Sequence, residues 1–279
     1  MNQNEPQQSE SVPADDAIAR HRDELKKRFP LPSPVKQPKP RSLTPLSVVI
    51  TMFGLGCTLV WLDPSYKTEQ FGSAIGEHQV IQLADGSRVT LDAASRIKVS
   101  WHLRSRRVEL RAGQALFSVA PAFYRPFLTT AGSTQIKVVG TRYNVNRYQD
   151  DVRVTVEEGK VDVRGNDAGV RLEAGRQIEV RNGQLGEPAR VDATSLVAWN
   201  EGRLVFERTP LREVLDVIQR YQRQPIVMHD NSLAELPVSG AFDSARLDVM
   251  LALLPKILPL ELSTDTDGTL HLTRRATQK

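Results

Sequence analysis

The sequence is poor in the residues and motifs that mark metal, redox and nucleotide chemistry. Its 279 residues include one cysteine, Cys57, so no disulfide can form within the chain. The five histidines stand at spacings that match no metal-binding motif. A G-x-S-x-G nucleophile turn, a G-x-G-x-x-G loop and a Walker loop are also missing. We therefore expect a protein that is not an enzyme and that needs no cofactor and no metal ion.

The excess of charge of one sign is small as well. The chain has 37 Lys and Arg against 33 Asp and Glu, for a formal net charge of +4. Direct binding of nucleic acid needs basic residues clustered on one face, and the small excess does not provide such a cluster. Hydrophobic residues make up 40% of the sequence and charged residues 25%, which is ordinary for a folded protein.

One segment has no charge at all. Residues 43–62 read LTPLSVVITMFGLGCTLVWL, and about 20 apolar residues at about 1.5 Å each cross a hydrocarbon core of about 30 Å. Lys36, Lys39 and Arg41 precede the segment, and Trp61 stands at its far edge. Basic residues stay on the cytoplasmic side, so we expect a single transmembrane helix with a cytoplasmic N-terminus. A cleaved signal peptide, a lipid anchor on the cysteine and a buried soluble helix remain less favoured alternatives.

The cytoplasmic arm, residues 1–42, contains one helix candidate at 13–28, followed by a proline-rich spacer at 30–40. Four apolar residues recur near helical spacing and form a candidate face for a cytoplasmic partner: Ala14, Ile18, Leu25 and Phe29. A helix that lies on the membrane surface, or one that forms only weakly in water, is an equally good interpretation.

Residues 66–190 predict an all-β domain. Short runs of alternating apolar residues recur at about ten-residue intervals, and the pairs Asp85-Gly86 and Asn182-Gly183 are typical of hairpin turns. The pair Ala112-Gly113 is expected to separate the runs RRVEL and QALFSVA in the same way. Valines alternate with polar residues over 152–156, which predicts a sheet with one face in water.

Residues 199–275 predict a different architecture. Two apolar stripes at helical spacing are each followed by a short strand, PIVMH and PLELST, and a last strand runs from 270 to 273. The stripes are expected to face a core; they are Leu211, Val214, Leu215, Ile218 and Tyr221, then Leu247, Met250, Leu251 and Leu254. The fold class is therefore mainly β with α+β: a short cytoplasmic helix, one transmembrane helix, a periplasmic all-β domain and a small two-repeat α+β domain.

Five motifs in a fixed order resemble the FecR family of transmembrane sensors and anti-sigma factors. They read EHQVIQLADGSRVTLDAASRIKV, RRVELRAGQALFSV, RPFLTTAGSTQIKVVGTRYNV, VEEGKVDV and AWNEGRLVFERTPLREVL. The last part of the chain is similar to the short domain at the N-termini of secretins and TonB-dependent receptors. Together the resemblance covers residues 66–273.

The resemblance implies a relay in iron-uptake signalling at the bacterial inner membrane. The periplasmic part would contact the signalling domain of an outer-membrane TonB-dependent receptor, and residues 200–273 are expected to bind it through a sheet edge or surface. The cytoplasmic arm would bind an extracytoplasmic-function sigma factor, as an inhibitor or as an activator. The competing hypothesis is a membrane-anchored periplasmic scaffold or binding protein that controls no sigma factor.

A self-cleavage site is also implied by the resemblance, because the Gly-Thr bond of the family motif cleaves itself in some members. In this sequence the bond is Gly140-Thr141, within VVGTRYNV. The Thr141 hydroxyl would attack the Gly140 carbonyl and form an ester that water opens. Alternatively, the pair is a turn between two strands, where glycine relieves crowding.

Overall fold

The computed structural model describes residues 21–22, 24–30, 44–192 and 197–275. The chain divides into two units, with the boundary between Gly54 and Leu55. The described residues contain three long helices, α1 Thr44–Leu62, α2 Leu211–Tyr221 and α3 Leu247–Ile257, beside a helical stretch at 24–28. Nineteen strands outnumber them, so the chain is mainly β, as predicted.

Helix α1 lies where the uncharged segment predicts a helix. Within the described part of the chain, however, no helix has the length and apolar character that crossing a membrane requires. A helix at this position is thus confirmed, whereas its role as a membrane span is not. The basic residues expected to set its orientation, Lys36, Lys39 and Arg41, lie outside the described residues.

The β domain, residues 65–190, is built from fourteen strands joined through one long central strand. Along the main path they are ordered β11-β10-β7-β6-β5-β8-β9-β12-β13. The remaining strands pair beside this path: β3 and β4 pair with β5, β1 pairs with β4, β2 pairs with β3, and β14 pairs with β12. The strands are β1 Ser65–Gly72, β2 Gln79–Gln82, β3 Arg88–Leu91, β4 Arg96–His102, β5 Arg106–Ser118, β6 Phe127–Ala131, β7 Thr134–Val138, β8 Arg142–Tyr148, β9 Asp151–Glu158, β10 Lys160–Arg164, β11 Gly169–Glu173, β12 Arg176–Arg181, β13 Gln184–Leu185 and β14 Ala189–Arg190.

Strand β5 corrects one sequence prediction, because Ala112-Gly113 does not end a strand. The first half of β5 pairs with β4 and β6, and the half from Gly113 onward pairs with β3 and β8. Gly113 has φ +82°, and a Cβ there would lie 2.2 Å from the Ser95 hydroxyl. An Ala-Gly pair has the composition of a turn, but here the glycine lets one strand change partners without leaving the sheet.

The buried face of the β domain follows the predicted alternation, whereas the other face departs from it. Val152, Val154 and Val156 are buried in the core, as expected. Thr155, on the face predicted to be wet, is only 1% exposed, and Arg153 is partly buried. The prediction of a solvated face was wrong because the C-terminal part of the chain covers it, which alternation within one strand does not reveal.

The C-terminal unit, residues 197–275, contains the two predicted helix–strand pairs. Strand β15 Arg203–Pro210 pairs with β17 Pro237–Asp243, and β16 Ile226–Met228 and β18 Leu260–Thr264 both pair with β19 Leu270–Arg274. The apolar stripes of α2 and α3 form its core together with Trp199. Leu116 of β5 belongs to the same core, so the β domain supplies part of the packing.

Candidate functional site

The candidate sigma-factor face is described only in part. Ala14 and Ile18 lie outside the described residues. Leu25 and Phe29 are exposed, and the Phe29 backbone N–H donates to the Leu25 carbonyl at 2.9 Å. That bond has the i to i+4 spacing of a helical turn, so the two side chains lie on one face. These two side chains are therefore open to solvent on one side of the chain, and their role as a partner face stays a prediction.

The Gly140-Thr141 pair stands at the entry to β8. The Thr141 hydroxyl donates to the Lys160 carbonyl at 2.9 Å, and the side chain is buried. Gly140 does not have a positive φ, and a Cβ there would lie 2.9 Å from Pro121. Crowding against the proline is thus enough to explain the glycine. A carbonyl oxygen orients a hydroxyl but is not a general base, so any attack by Thr141 would need water to accept the proton.

The ion pair nearest to this bond along the chain is Arg142 with Glu157. Their Nε and Oε2 atoms are 2.9 Å apart but lack the alignment of a hydrogen bond. Burial raises the pKa of Glu157, and the Arg142 charge only partly opposes the rise. The pair joins β8 to β9 and therefore holds the strand that begins just after the Gly-Thr bond.

A buried polar cluster joins the β domain to α2. Asp92, which is 1% exposed, accepts a hydrogen bond from the Tyr221 hydroxyl at 2.5 Å and from the Ala93 backbone N–H at 2.8 Å. His78 Nε2 lies 3.0 Å from the tyrosine oxygen and 3.2 Å from Asp92 Oδ1. Because the tyrosine gives its proton to the carboxylate, Nε2 faces two acceptors and must carry the imidazole proton. Trp199 stands edge-on to this ring, with centroids 5.5 Å apart.

This cluster changes the acidity of its tyrosine. Burial raises the pKa of Tyr221, and the neighbouring Asp92 charge and its hydrogen bond raise it further. The hydroxyl therefore stays protonated and remains a donor. Its partner is 129 residues away in the sequence.

Arg220, one residue before Tyr221, makes a second set of contacts to the β domain. Both terminal nitrogens of its guanidinium lie 3.1 Å from the Asn146 side-chain oxygen, and one also donates to the Arg147 carbonyl. Asp216, one turn earlier on α2, accepts from the same guanidinium at 2.6 Å. Arg220 is only 6% exposed, so the charge is buried with its partner.

A third contact is an ion-pair network on the covered face of the sheet. Arg153 donates two hydrogen bonds to Glu213 of α2, at 2.6 and 2.9 Å, and pairs with Glu179 at 2.7 Å. Burial lowers the pKa of Arg153, but the two carboxylates outweigh it, so the net pKa is raised and the charge is kept. Planar two-point pairing of this kind fixes orientation as well as distance. We call these three sets of contacts the junction.

Comparison with known proteins identifies the β part of the junction. Residues 67–162 match the family described as FecR protein. We call these matched residues the FecR domain. His78, Asp92, Asn146 and Arg153 lie inside the match, as does the Gly-Thr bond, whereas α2 lies outside it. The junction therefore joins the FecR domain to the C-terminal unit, residues 197–275.

Solved structures extend the likeness beyond the FecR domain. Two crystal structures of a proposed anti-sigma factor from Parabacteroides distasonis ATCC 8503, at 2.50 and 1.65 Å resolution, are 27% and 28% identical to this chain. Each has a TM-score of 0.69, and the match covers 75% of this chain and 100% of theirs. None of the curated proteins matches the chain. The likeness covers more of the chain than the FecR domain alone.

A polar cleft of about 260 Å³ opens between the β domain and β15. Its lining includes Gln114, which donates to Asn144 at 3.2 Å, and Thr155, which donates to Gln177 at 3.0 Å. The Trp199 indole N–H is buried at this cleft without a partner. Within the described ranges, no group of three His, Cys, Asp or Glu residues could hold a metal ion. Besides amides and hydroxyls, the lining includes charged side chains such as Arg203, Arg208 and Glu207.

Sequence reasoning missed the junction. It placed Tyr221 in an apolar stripe because the ring has the right helical spacing, and the hydroxyl gave no separate signal. His78 and Asp92 were noticed only as part of a motif. Contacts between residues more than 120 positions apart cannot be read from local periodicity, so only the folded chain reveals this cluster.

Proposed function

We propose that the protein is an inner-membrane regulator of a sigma factor. It relays the ligand occupancy of an outer-membrane TonB-dependent receptor to an extracytoplasmic-function sigma factor. The observation that carries the proposal is the FecR domain, in a fold that resembles a proposed anti-sigma factor over 75% of this chain. Iron or siderophore uptake is the signal that the family resemblance implies.

The topology is part of the proposal. Residues 43–62 hold the chain in the inner membrane, with the arm in the cytoplasm and the FecR domain in the periplasm. The described apolar side chains of α1, among them Ile50, Phe53 and Leu55, are exposed, so no protein surface covers them. Protease added outside spheroplasts is expected to digest the FecR domain and to leave an epitope on the N-terminus intact. Digestion of the N-terminal epitope alone would reverse the topology.

The cytoplasmic partner would bind the face that carries Leu25 and Phe29. Two exposed apolar residues one turn apart fit the apolar groove of a partner, and the exposed side chains of Lys26 and Lys27 offer matched controls on the same helical stretch. Replacing both apolar residues with serine should weaken sigma-factor binding at least about tenfold. Replacing the two lysines with serine should change it much less.

The direct test is co-purification from native membranes after gentle crosslinking of the full-length protein. Recovery of a sigma factor together with a TonB-dependent receptor supports the relay. Loss of the sigma factor from the Leu25→Ser/Phe29→Ser variant, but not from Lys26→Ser/Lys27→Ser, locates its site. Recovery of envelope components with neither partner would instead support a periplasmic scaffold.

The receptor would add to the free edge of β16. Among the strands of the described residues, β16 pairs only with β19, and Val227 at its centre is 38% exposed. A free edge offers unpaired backbone groups to a partner strand. A photo-crosslinker at Val227 should capture the receptor, whereas one at Val80, on the free edge of β2 in the FecR domain, should not. Capture at Val80 alone would move the receptor site to the FecR domain.

Self-cleavage at Gly140-Thr141 remains a proposal with a simple test. The hydrogen bond from the Thr141 hydroxyl to Lys160 holds the oxygen in place and supports the proposal, although the glycine is explained by packing alone. Two fragments from the wild type and an intact chain from Thr141→Ala would establish the reaction. Two fragments from both proteins would show that a separate protease makes the cut.

A further inference from the structure

One end of the FecR domain carries exposed aromatic and aliphatic side chains that its core does not need. Phe123 is 89% exposed and Tyr124 is 82% exposed, in the loop that connects β5 to β6. Tyr66 and Leu103 are also exposed. We call these four residues the aromatic patch. Single exposed apolar residues are common, but a cluster on one end of a domain marks a surface that contacts something apolar.

Contacts show that the four residues share one end. The Arg125 guanidinium donates to the His102 carbonyl at 2.7 Å and lies 3.5 Å from the Tyr66 hydroxyl. Leu103 directly follows His102, and the patch residues of the loop precede Arg125 by one and two positions. Consecutive Cα atoms are about 3.8 Å apart, so Phe123 and Tyr124 begin within about 8 Å of the Arg125 Cα.

The same end receives the chain as it leaves α1. Asp63, the residue after α1, is buried and accepts hydrogen bonds from the Arg104 backbone N–H at 2.8 Å and the Ser105 hydroxyl at 2.7 Å. His102 Nδ1 lies 2.5 Å from the Asp63 carbonyl oxygen. The turn that presents Leu103 is therefore fixed directly to the end of α1, where Trp61 is 79% exposed.

The charge of this end matches anionic lipid. Arg104, Arg107 and Arg125 all lie at this end, and the Arg107 guanidinium is 3.5 Å from the Asp63 carboxylate, which also accepts the Arg104 backbone N–H. Aromatic rings favour the headgroup layer of a bilayer, and arginines there are attracted to phosphate. We infer that the aromatic patch lies in the headgroup layer of the membrane that holds α1 and fixes the FecR domain against the lipid surface. The inference rests on the proposed membrane location and adds a lipid contact that the relay alone does not require.

The test uses the full-length protein in vesicles of phosphatidylethanolamine and phosphatidylglycerol that contain spin-labelled lipid. In a Cys57→Ser background, an environment-sensitive fluorophore is attached at Leu103→Cys or at Asp167→Cys. Asp167 is a matched exposed control at the opposite end of the sheet. The patch end is where Phe127 pairs with Val138, whereas β10 ends with Arg164 opposite Gln135, at the other end of β7, and Asp167 follows three residues later. The label at 103 should shift to the blue and be quenched by the lipid, and the label at 167 should do neither.

The patch is then removed in the labelled protein. Phe123→Ser with Tyr124→Ser should abolish most of the quenching at 103, and vesicles of phosphatidylcholine alone should reduce it by removing the anionic headgroups. Equal, unquenched emission from both labels overturns the inference, as does a blue shift without lipid quenching, since that would show burial against protein. If carbonate extracts the protein from vesicles, the proposed membrane location is refuted. If the protein stays bound but the label at position 103 is not quenched, only the inference about the aromatic patch is refuted.

Discussion

Replacing Tyr221 with phenylalanine removes one oxygen from the junction and leaves the ring in place. The hydroxyl donates to Asp92 at 2.5 Å, and that carboxylate is 1% exposed. Without this donor, Asp92 keeps the Ala93 N–H and His78. A hydrogen bond to a buried charged group contributes about 1.5–3 kcal/mol, so we expect the free energy of unfolding to fall by about 2 kcal/mol.

Urea unfolding of the full-length protein in detergent micelles, followed by tryptophan fluorescence, measures this loss. Trp199 stands in the junction and reports directly on its opening. With a denaturant slope of about 2 kcal/mol per molar urea, a loss of about 2 kcal/mol lowers the unfolding midpoint by about 1 M. The slope itself should not change, because the substitution exposes no additional surface.

Tyr148→Phe is the matched control. The Tyr148 hydroxyl bonds only loosely to Gln149, at 3.4 Å on the surface, so its removal should cost less than about 0.5 kcal/mol. If Tyr221→Phe shifts the midpoint no more than Tyr148→Phe does, the junction does not stabilise the fold. A double-mutant cycle with Asp92→Asn should give a coupling energy of at least about 1 kcal/mol, which separates a direct interaction from a general loss of packing.

Three further results are expected. Gly113→Ala should lower the free energy of unfolding by about 2–4 kcal/mol, measured by urea unfolding, because the methyl group would overlap Ser95 in a left-handed backbone. Burial would raise the pKa of Asp63, but the Ser105 hydroxyl and the Arg104 N–H lower it overall. Its stabilisation should thus be present above about pH 4 and disappear as the pH falls through the lowered value, and Asp63→Asn should flatten this part of the stability–pH curve. Co-expressed fragments 1–140 and 141–279 should co-purify, because β5–β8 and β7–β10 pair across the cut; recovery of only the tagged fragment would contradict this.

Much of the fold follows from local patterns in the sequence. The alternating valines of β9 are buried, and the stripe that includes Leu211 and Ile218 lies in the core. These predictions succeed because burial of one face determines which side chains of a strand or helix must be apolar. A helix also forms at 44–62, where the uncharged segment predicts one.

Two failures have a common physical origin. Gly113 was assigned to a turn, and Arg153 and Thr155 to a wet face, because each was judged within its own segment. In the structure Gly113 fits against Ser95, and Arg153 pairs with Glu213 60 residues away. Residue type shows which local conformations and environments a residue can adopt. The conformation or environment that it does adopt depends on a partner that is distant in the sequence.

The position of the junction bears on how a signal could pass through the chain. Tyr221 is bound to Asp92, which precedes the Gly140-Thr141 bond, while Arg220 is bound to Asn146, which follows it. A cut at that bond would therefore leave the C-terminal unit attached to both fragments. A receptor strand added to β16 would act on the FecR domain through these contacts, and separating the fragments would require breaking the Tyr221–Asp92 bond as well as the β5–β8 and β7–β10 pairing. If the proposed cleavage occurs, these contacts would still hold the two fragments together, and under the proposed relay the receptor would have to supply the binding energy that breaks them.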